Sequence, residues 1–201
     1  MRPRIADLME CSDEDDAAAM TRLRGGEDLA LNELMARWQQ PLVSYLARFC
    51  GNEATALDLA QETFVRVYEA RGRYDARGKF ATWLYTIAGN LARNAHRWQQ
   101  RHPAVSLDAP TDDDGDTLAT YLPDGKAAPD DCADAHERAV AVRAAVAELP
   151  EDQRAIVFLS EFEDRSHADI AAVLGCTAKA VETRLYRARQ ALREKLTRWL
   201  K

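Results

Sequence analysis

The stretch SHADIAAVLGCTAKAVETRLYRARQALRE, residues 166–194, decides the fold because two helix patterns flank a tight turn. Ser166 followed by Asp169 resembles a capping box, with Asp in place of the usual Glu or Gln, and predicts the start of a short helix. Gly175 turns the chain, and Thr177 can cap a longer second helix with an apolar inner face. This order is typical of a helix-turn-helix, whose second helix enters the major groove of DNA.

The second helix of this unit carries polar and basic side chains on its outward face. Arginine and lysine bind guanine edges or phosphates, and a glutamate can accept a hydrogen bond from cytosine. The helix N-terminus at Thr177 also suits a phosphate group. An ordinary helical hairpin with a basic, solvated face is the alternative. The outward side chains are Lys179, Glu182, Thr183, Arg184 and Arg187.

Charge is segregated along the 201-residue chain, so the net charge of −6 hides two basic islands around an acidic segment. Residues 103–135 hold nine acidic residues against one lysine, a local net charge of −8. Residues 71–101 hold seven basic residues against one acidic, and residues 177–201 hold eight against two, so each has a local net charge of +6. Clustered basic residues favour a polyanionic partner, and solvated helix faces are the alternative.

Apolar residues spaced by three and four predict helices on both sides of the acidic segment. Asn52 is a candidate N-cap, and Pro41 is expected to bend or divide its helix. The fold class is therefore all-α, with two small helical domains joined by a flexible acidic linker. The expected divisions are a disordered N-terminus over 1–12, a first domain over 13–102, the linker over 103–133 and a helix-turn-helix domain over 134–201. The helices expected before the linker are 13–24, 29–50, 52–70 and 80–100, and those after it include 134–149 and 150–162.

Two features of the first domain suggest that it binds a protein partner and nucleic acid. Asp58, Gln61 and Glu62 form one polar helix face, which can dock a basic partner or can simply be solvated. Residues 74–85 interleave aromatic with basic residues, a composition that suits single-stranded nucleic acid. Within that stretch the helical aromatics are expected in the core, and Tyr74 in the preceding loop is the better stacking candidate.

Several function classes are excluded by the absence of their motifs. The sequence has no GxSxG, HExxH or P-loop motif, and its four cysteines include no CxxC pair. We therefore expect no catalytic activity, no metal site and no cofactor. A run of about 18 apolar residues is also absent, and the N-terminus leads into acidic residues. We therefore expect no membrane association and a cytoplasmic location.

Four stretches resemble, in this order, the bacterial RNA polymerase sigma factors of the extracytoplasmic-function group, and together they extend over about residues 20–197. The resemblance implies a protein that binds core RNA polymerase and directs promoter-specific transcription initiation, for a stress or envelope-related regulon. A stand-alone helix-turn-helix regulator, which binds promoter DNA without polymerase, is the alternative, and an adaptor without a DNA role is another. The stretches are DLAQETFVRVYEA (58–70), FATWLYTIAGNLARN (80–94), LPEDQRAIVFL (149–159) and residues 166–194.

The resemblance also implies roles for particular residues. The first domain would bind the clamp helices of the largest polymerase subunit through Asp58, Gln61 and Glu62, and Tyr74 and Asn90 would form a pocket for a flipped base of the minus-ten element. The second domain would bind the minus-thirty-five duplex, and the flap of core polymerase is a further implied partner. The linker would pass near the RNA exit path as a nucleic-acid mimic, or serve as a plain tether. An anti-sigma factor between the two domains is a further candidate partner. The implied minus-ten contacts are Tyr74, Arg77, Lys79, Asn90 and Arg93, and the implied minus-thirty-five contacts are His167, Thr177, Lys179, Glu182, Thr183, Arg184 and Arg187.

Overall fold

The computed structural model describes residues 12–101 and 129–199, and this part of the chain consists of helices joined by short turns and loops, without a strand. The all-α prediction is therefore confirmed. The expectations for residues 1–11 and for most of the linker, residues 102–128, lie outside the described residues. The helices are α1 (Ser12–Arg24), α2 (Ala30–Cys50), α3 (Glu53–Glu69), α4 (Phe80–Arg101), α5 (Pro129–Ala147), α6 (Glu151–Glu161), α7 (His167–Leu174) and α8 (Ala178–Lys195), with short 3-10 turns at Arg71–Arg73 and Thr197–Trp199.

The first four helices form one body, and their ends follow the capping signals of the sequence. Gly51 ends α2 in the left-handed conformation at φ 70°, which an L side chain rarely adopts. The Asn52 side chain then accepts the backbone N–H of Thr55 at 2.9 Å, which confirms the predicted cap of α3. Pro41 lies inside α2 and does not divide it. The apolar face on both sides of this proline is buried, and this burial offsets the hydrogen bond that proline removes.

An aromatic cluster fills the core of the first body. Tyr45 and Tyr85 meet edge to face with ring centroids 5.1 Å apart, and Trp38 contacts Tyr85 at 6.3 Å. Helix α1 is fixed to this cluster by the fully buried Asp16, which accepts the indole N–H of Trp38 at 2.8 Å. The Arg37 guanidinium lies 2.9 Å from the same carboxylate and compensates its charge. Burial nevertheless raises the pKa of Asp16.

Helices α5 to α8 form the second body. Helix α5 begins at Pro129, inside the range expected for the linker, and this start differs from the predicted one at 134. A proline at the first helical position and the acidic residues directly after it both favour a helix start, and they explain the earlier boundary. Pro150 precedes α6 as its N-cap residue, where the sequence places a helix start.

The helix-turn-helix has the predicted caps. Ser166 accepts the backbone N–H of Asp169 at 3.1 Å and donates its hydroxyl to the Asp169 carboxylate at 2.6 Å. Gly175 ends α7 at φ 63°, and Thr177 caps α8 by accepting the N–H of Ala180 at 3.1 Å. The inner face of α8 is buried through Val181, Leu185 and Ala188.

The two bodies pack directly against each other. Helix α7 contacts α4, and α6 contacts α2, so the buried apolar residues form a single continuous cluster. The helix-turn-helix therefore lies beside the helix that carries Asn90.

Candidate nucleic-acid and protein interfaces

The polar face of α3 is presented to solvent. Asp58 and Gln61 are exposed, and Glu62 is half-exposed and accepts the Arg66 Nε–H at 2.8 Å. Two apolar residues, Leu57 and Val65, flank this face with 41% and 50% of their surface accessible. Both lie off the buried stripe of α3, and this spacing is the signal by which the sequence could have identified them. The α3 stripe (Leu57, Asp58, Gln61, Glu62 and Val65) combines acidic, amide and apolar groups, the composition of a surface that binds another protein.

The sequence argument prefers Tyr74 for base stacking because the loop would expose it, and the structure contradicts that exposure. Only 5% of Tyr74 is accessible, its hydroxyl donates to the Gly78 carbonyl at 3.0 Å, and its ring lies 5.3 Å from that of Trp83. The ring also contacts Phe80, which is fully buried as expected. In this structure Tyr74 packs beneath the loop and holds it through the hydrogen bond to Gly78. Its contact with minus-ten DNA stays a prediction that requires the loop to move.

The two basic residues of the same loop differ in their surroundings. Arg77 is almost fully exposed and holds Asp75 through a contact of 2.7 Å, and these hydrogen bonds lower the pKa of Asp75 to about 2. Lys79 points toward the second body, where its Nζ lies 3.4 Å from an Asp169 carboxylate oxygen. The Asp13 carboxylate of α1 lies 4.0 Å from the same nitrogen. Arg77 is therefore accessible to a phosphate, whereas Lys79 is already neutralised by two acids.

Asn90 is exposed at the edge of a shallow cavity of about 370 Å³ between α3, the 3-10 turn and α4. The Arg93 guanidinium donates to the Asn90 amide oxygen at 2.6 Å and orients the amide. This cavity offers hydrogen-bond donors and acceptors for a base edge together with guanidinium groups for phosphates. The sequence argument identified Asn90 and missed the arginines on the opposite wall. The lining residues are Arg66, Glu69, Ala70, Arg73, Ile87 and Asn90.

The start of α8 is an exposed polar surface. Thr177 is committed to its capping bond, and Lys179 pairs with Glu182 at 2.8 Å, one helical turn away. This pair, with a smaller effect of His167, lowers the pKa of Glu182. Thr183 donates its hydroxyl to the Lys179 carbonyl at 2.9 Å. The structure therefore brings the predicted residues of this helix end together on one face.

Farther along α8, the two arginines predicted to contact DNA are not equivalent. Arg184 is two-thirds buried at its side chain and lies 3.1 Å from the Asp152 carboxylate of α6, whereas Arg187 is exposed. Tyr186, which the sequence argument did not select, is 70% accessible between them. Arg187 and Tyr186 are thus the residues of this segment that are open to a ligand.

Other kinds of site are not present in the described part of the chain. Over residues 12–101 and 129–199, no group of His, Cys, Asp and Glu side chains is arranged to hold a metal ion. Among the same residues, no helix has the length and apolar character needed to cross a bilayer. Cys50 is half-buried, and its burial raises the pKa of its thiol to about 11.

Comparison with known families matches both bodies of the chain. Residues 34–102 match Sigma-70 region 2, and residues 139–192 match Sigma-70 region 4. The first match spans α3, the Tyr74 loop and α4, and the second spans the helix-turn-helix. Each candidate interface described above therefore lies within a matched region.

Similar proteins match nearly the whole chain. RNA polymerase sigma-H factor of Pseudomonas aeruginosa is 32% identical over 183 residues, covering 89% of this chain and 92% of that protein. RNA polymerase sigma factor CarQ of Myxococcus xanthus is 38% identical over 177 residues, covering 88% and 95%. The ECF RNA polymerase sigma-E factor of Salmonella typhi is 30% identical over 185 residues, covering 90% and 94%.

Solved structures share the fold. CnrH in complex with the cytosolic domain of CnrY has a TM-score of 0.65 at 24% identity, covering 91% of this chain and 97% of that chain. The sigma factor RpoE of Bartonella quintana, in complex with the anti-sigma factor NepR, has a TM-score of 0.61 at 21% identity, covering 84% and 98%. Because both structures are less than 25% identical to this chain, the comparison shows only that they share its helical architecture.

Proposed function

The chain belongs to the extracytoplasmic-function group of RNA polymerase sigma factors, which direct promoter-specific transcription initiation, and we propose that its two bodies divide this work. In this proposal, residues 13–102 bind polymerase and the minus-ten element, residues 103–133 connect the two domains, and residues 134–201 bind the minus-thirty-five element. Helix α5 extends the second domain back to Pro129. Proteins of this family are initiation factors and not enzymes, and the proposed place of action is the cytoplasm, where polymerase works.

The observation that carries the proposal is the α3 stripe on one body and the exposed start of α8 on the other. Asp58 and Gln61 are exposed and flanked by accessible apolar residues, so that burying this face against a basic, partly apolar partner gains both charge pairing and apolar contact. We assign the clamp helices of the largest polymerase subunit as this partner. The polymerase flap is the proposed contact of the second domain.

The cavity beside Asn90 is the proposed site for a flipped base of the minus-ten element. Extracting a base from the stack costs a few kcal/mol, which hydrogen bonds to the base edge must offset. The Asn90 amide, held by Arg93, supplies such bonds at the edge of the cavity, and Arg73 supplies positive charge for the flanking phosphates. Arg77 extends this charge along the loop, and Lys79 joins it when its acidic partners are displaced.

The start of α8 is the proposed reader of the minus-thirty-five duplex. Its exposed residues fit the major groove, with Lys179 and Arg187 as candidates for guanine edges or phosphates. Glu182, paired with Lys179, can accept from a cytosine amine. Thr177 places the helix N-terminus toward a phosphate, with His167 and Thr183 nearby. Arg184 has a supporting role in this arrangement because Asp152 already neutralises it.

An anti-sigma factor is a further proposed partner, because a structural neighbour, RpoE of Bartonella quintana, was solved with the anti-sigma factor NepR. A regulon for stress or envelope functions is proposed on family grounds. A stand-alone helix-turn-helix regulator is the second candidate function, and the presence of the helix-turn-helix is the observation that favours it. Such a regulator would bind promoter DNA and act without core polymerase, whereas a sigma factor requires core polymerase.

The decisive experiment measures binding to core polymerase and start-site selection on genomic DNA. Replacing Asp58 and Glu62 by lysine should weaken core binding by at least about tenfold, because like charges at an interface cost several kcal/mol. The neutral pair Asp58→Asn and Glu62→Gln serves as the matched variant, and its loss should be intermediate. The fold should persist because the surface pair that these substitutions break, Glu62 with Arg66, is worth about 0.3–0.5 kcal/mol. Unchanged core affinity in the lysine variant would refute this docking face.

A further inference from the structure

An acidic side chain lines the cavity beside Asn90, at a place where helices usually avoid negative charge. Glu69 is the last residue of α3 and lines this cavity together with Arg66, Arg73 and Asn90. The C-terminal end of a helix carries a partial negative charge, so a carboxylate there is unfavourable. Within the described residues, the Glu69 side chain is exposed and has no hydrogen-bond or ion-pair partner that would compensate this charge. Local helix stability therefore gives no reason for an acid at this position.

The other polar side chains of the cavity present hydrogen-bond donors. The guanidinium groups of Arg66 and Arg73 have N–H groups and no acceptor. The Asn90 amide oxygen already accepts the Arg93 guanidinium at 2.6 Å, and because an arginine cannot accept, this contact leaves the amide NH₂ group for a ligand. Among the described residues that line the cavity, Glu69 therefore supplies the one uncommitted side-chain acceptor.

The four DNA bases differ in how well they match this arrangement. Cytosine, adenine and guanine each carry an exocyclic amine, which donates hydrogen bonds, whereas thymine has no amine and presents carbonyl oxygens. A carboxylate accepts from an amine and repels a carbonyl oxygen. A site built to bind one polar group rejects an analogue that lacks it, because a polar group of the site is then left unpaired. The cavity therefore favours a base with an amine.

We propose that Glu69 selects the flipped base of the minus-ten element by accepting a hydrogen bond from its exocyclic amine, so that cytosine, adenine or guanine binds and thymine is rejected. The inference rests on the proposed function of the cavity beside Asn90. In this arrangement the Asn90 NH₂ group donates to a ring nitrogen or carbonyl oxygen of the same base, and Arg73 is free for a flanking phosphate. Glu69 is then the residue that determines which bases enter.

Base selection can be measured with holoenzyme assembled from the full chain and core polymerase. The probe is a pool of oligonucleotides in which a fixed duplex ends in a short random single-stranded segment of the nontemplate strand, and the bound molecules are sequenced. Asn90→Ala identifies the position that enters the cavity, because the preference at that position should be lost. At this position we expect wild type to deplete thymine at least tenfold relative to the favoured base, whose identity shows which amine is read.

Glu69→Gln keeps the size of the side chain and replaces one acceptor oxygen with a donor NH₂ group. Thymine depletion at the cavity position should fall to less than threefold, with the other positions unchanged. The variant should fold as well as wild type, because it removes an unfavourable charge from the helix end. Glu33→Gln is the matched control, since Glu33 is a half-exposed acid of the same body that pairs with Arg22 and does not line the cavity, and it should keep the wild-type preference. Unchanged thymine depletion in Glu69→Gln would overturn the proposal.

A second measurement removes the amine instead of the carboxylate. The favoured base of a selected oligonucleotide is replaced by its analogue without the amine, which is 2-pyrimidinone for cytosine, purine for adenine and hypoxanthine for guanine. The replacement should lower the affinity of wild-type holoenzyme at least fivefold and that of Glu69→Ala holoenzyme less than twofold, because both changes remove the same contact. Equal losses in the two proteins would overturn the contact between Glu69 and the amine.

Failure of the proposed function has a different signature from failure of the inference. If wild-type holoenzyme shows no base preference, or if Asn90→Ala leaves every preference unchanged, the cavity does not hold a base and the inference is overturned with the proposed function. If Asn90→Ala abolishes the preference at one position and Glu69→Gln does not alter it, the cavity binds a base and the role of Glu69 alone is overturned. Thymine as the favoured base at that position would also overturn the role of Glu69.

Discussion

The salt dependence of promoter binding should separate Arg187 from Arg184, which the sequence treats as equivalent. Arg184 lies 3.1 Å from Asp152 and is largely covered, so its charge is compensated within the protein. Arg187 is exposed on the same helix. Only a cation that neutralises a DNA phosphate releases counterions, so Arg187→Ala should change the salt dependence more than Arg184→Ala.

The expected size follows from counterion release. Each phosphate contact contributes about 0.9 to the slope of log affinity against log salt concentration. Between 50 and 200 mM salt this corresponds to about a 3.5-fold change in affinity per contact. Arg187→Ala should therefore flatten the slope by about 0.9, and Arg184→Ala by less than half of that. Asp152→Asn is the complementary variant, because it frees Arg184 and should steepen the slope.

The assay measures the dissociation constant of holoenzyme on a double-stranded promoter at four salt concentrations between 50 and 200 mM. The contacts made by core polymerase are common to all variants and cancel when slopes are subtracted. Equal slope changes in the two alanine variants would show that Asp152 does not withhold Arg184 from DNA. If Arg187→Ala has the same slope as wild type, Arg187 does not contact a phosphate.

Three further predictions concern single side chains. Asn90→Ala should reduce open-complex formation at least tenfold, measured by permanganate footprinting, and should change core affinity little because Asn90 is exposed and away from the α3 stripe. An equal loss of open-complex formation and of core affinity would show that Asn90 has a structural role instead. Cys50, with a thiol pKa of about 11, should be alkylated far more slowly at pH 8 than in the urea-unfolded chain, and its rate should rise toward pH 11; equal rates in peptide mapping would contradict the burial. Thr177→Ala should lower the free energy of unfolding by about 1 kcal/mol in urea titration, whereas Thr177→Ser should preserve it; no loss in the alanine variant would show that the cap is not needed.

The helix boundaries were predictable because local chemistry sets them. Asn52, Ser166 and Thr177 each cap the helix that the sequence assigned to them, and Gly51 and Gly175 take the left-handed conformation that ends a helix. A cap depends on a side chain and the backbone two or three residues away, so no tertiary information is required.

Residues of the candidate site could be predicted only where the helical periodicity of the sequence also determines which side chains are exposed. Asp58 and Asn90 are exposed on helices whose opposite faces are apolar, as the periodicity requires. Tyr74 is buried because its ring folds back beneath Phe80 and Trp83, a contact set by the path of the loop and not by spacing. The pairing of Arg184 could not be predicted for a similar reason, since its partner Asp152 lies on another helix, and its contact with DNA stays a prediction.

The contact between the two bodies around Glu163 could not be predicted from the sequence, because its residues have the composition of a surface. Glu163 and Arg165 follow the end of α6 in a charged turn, and such a turn is usually solvated. The burial of Glu163 depends on the placement of Tyr85 and Arg48, which belong to the first body. A purely apolar contact would have extended the hydrophobic stripes of α4 and α6 and could have been recognised from periodicity.

Helix α4 and the loop that precedes it carry two kinds of contact. Tyr85 donates its hydroxyl to Glu163 of the second body, and Lys79, directly before the helix, lies 3.4 Å from Asp169. Asn90, in the middle of the same helix, lines the cavity proposed for the flipped base. The helix proposed to contact the minus-ten element therefore also packs against the second body, because different faces and turns of one helix carry the two sets of residues.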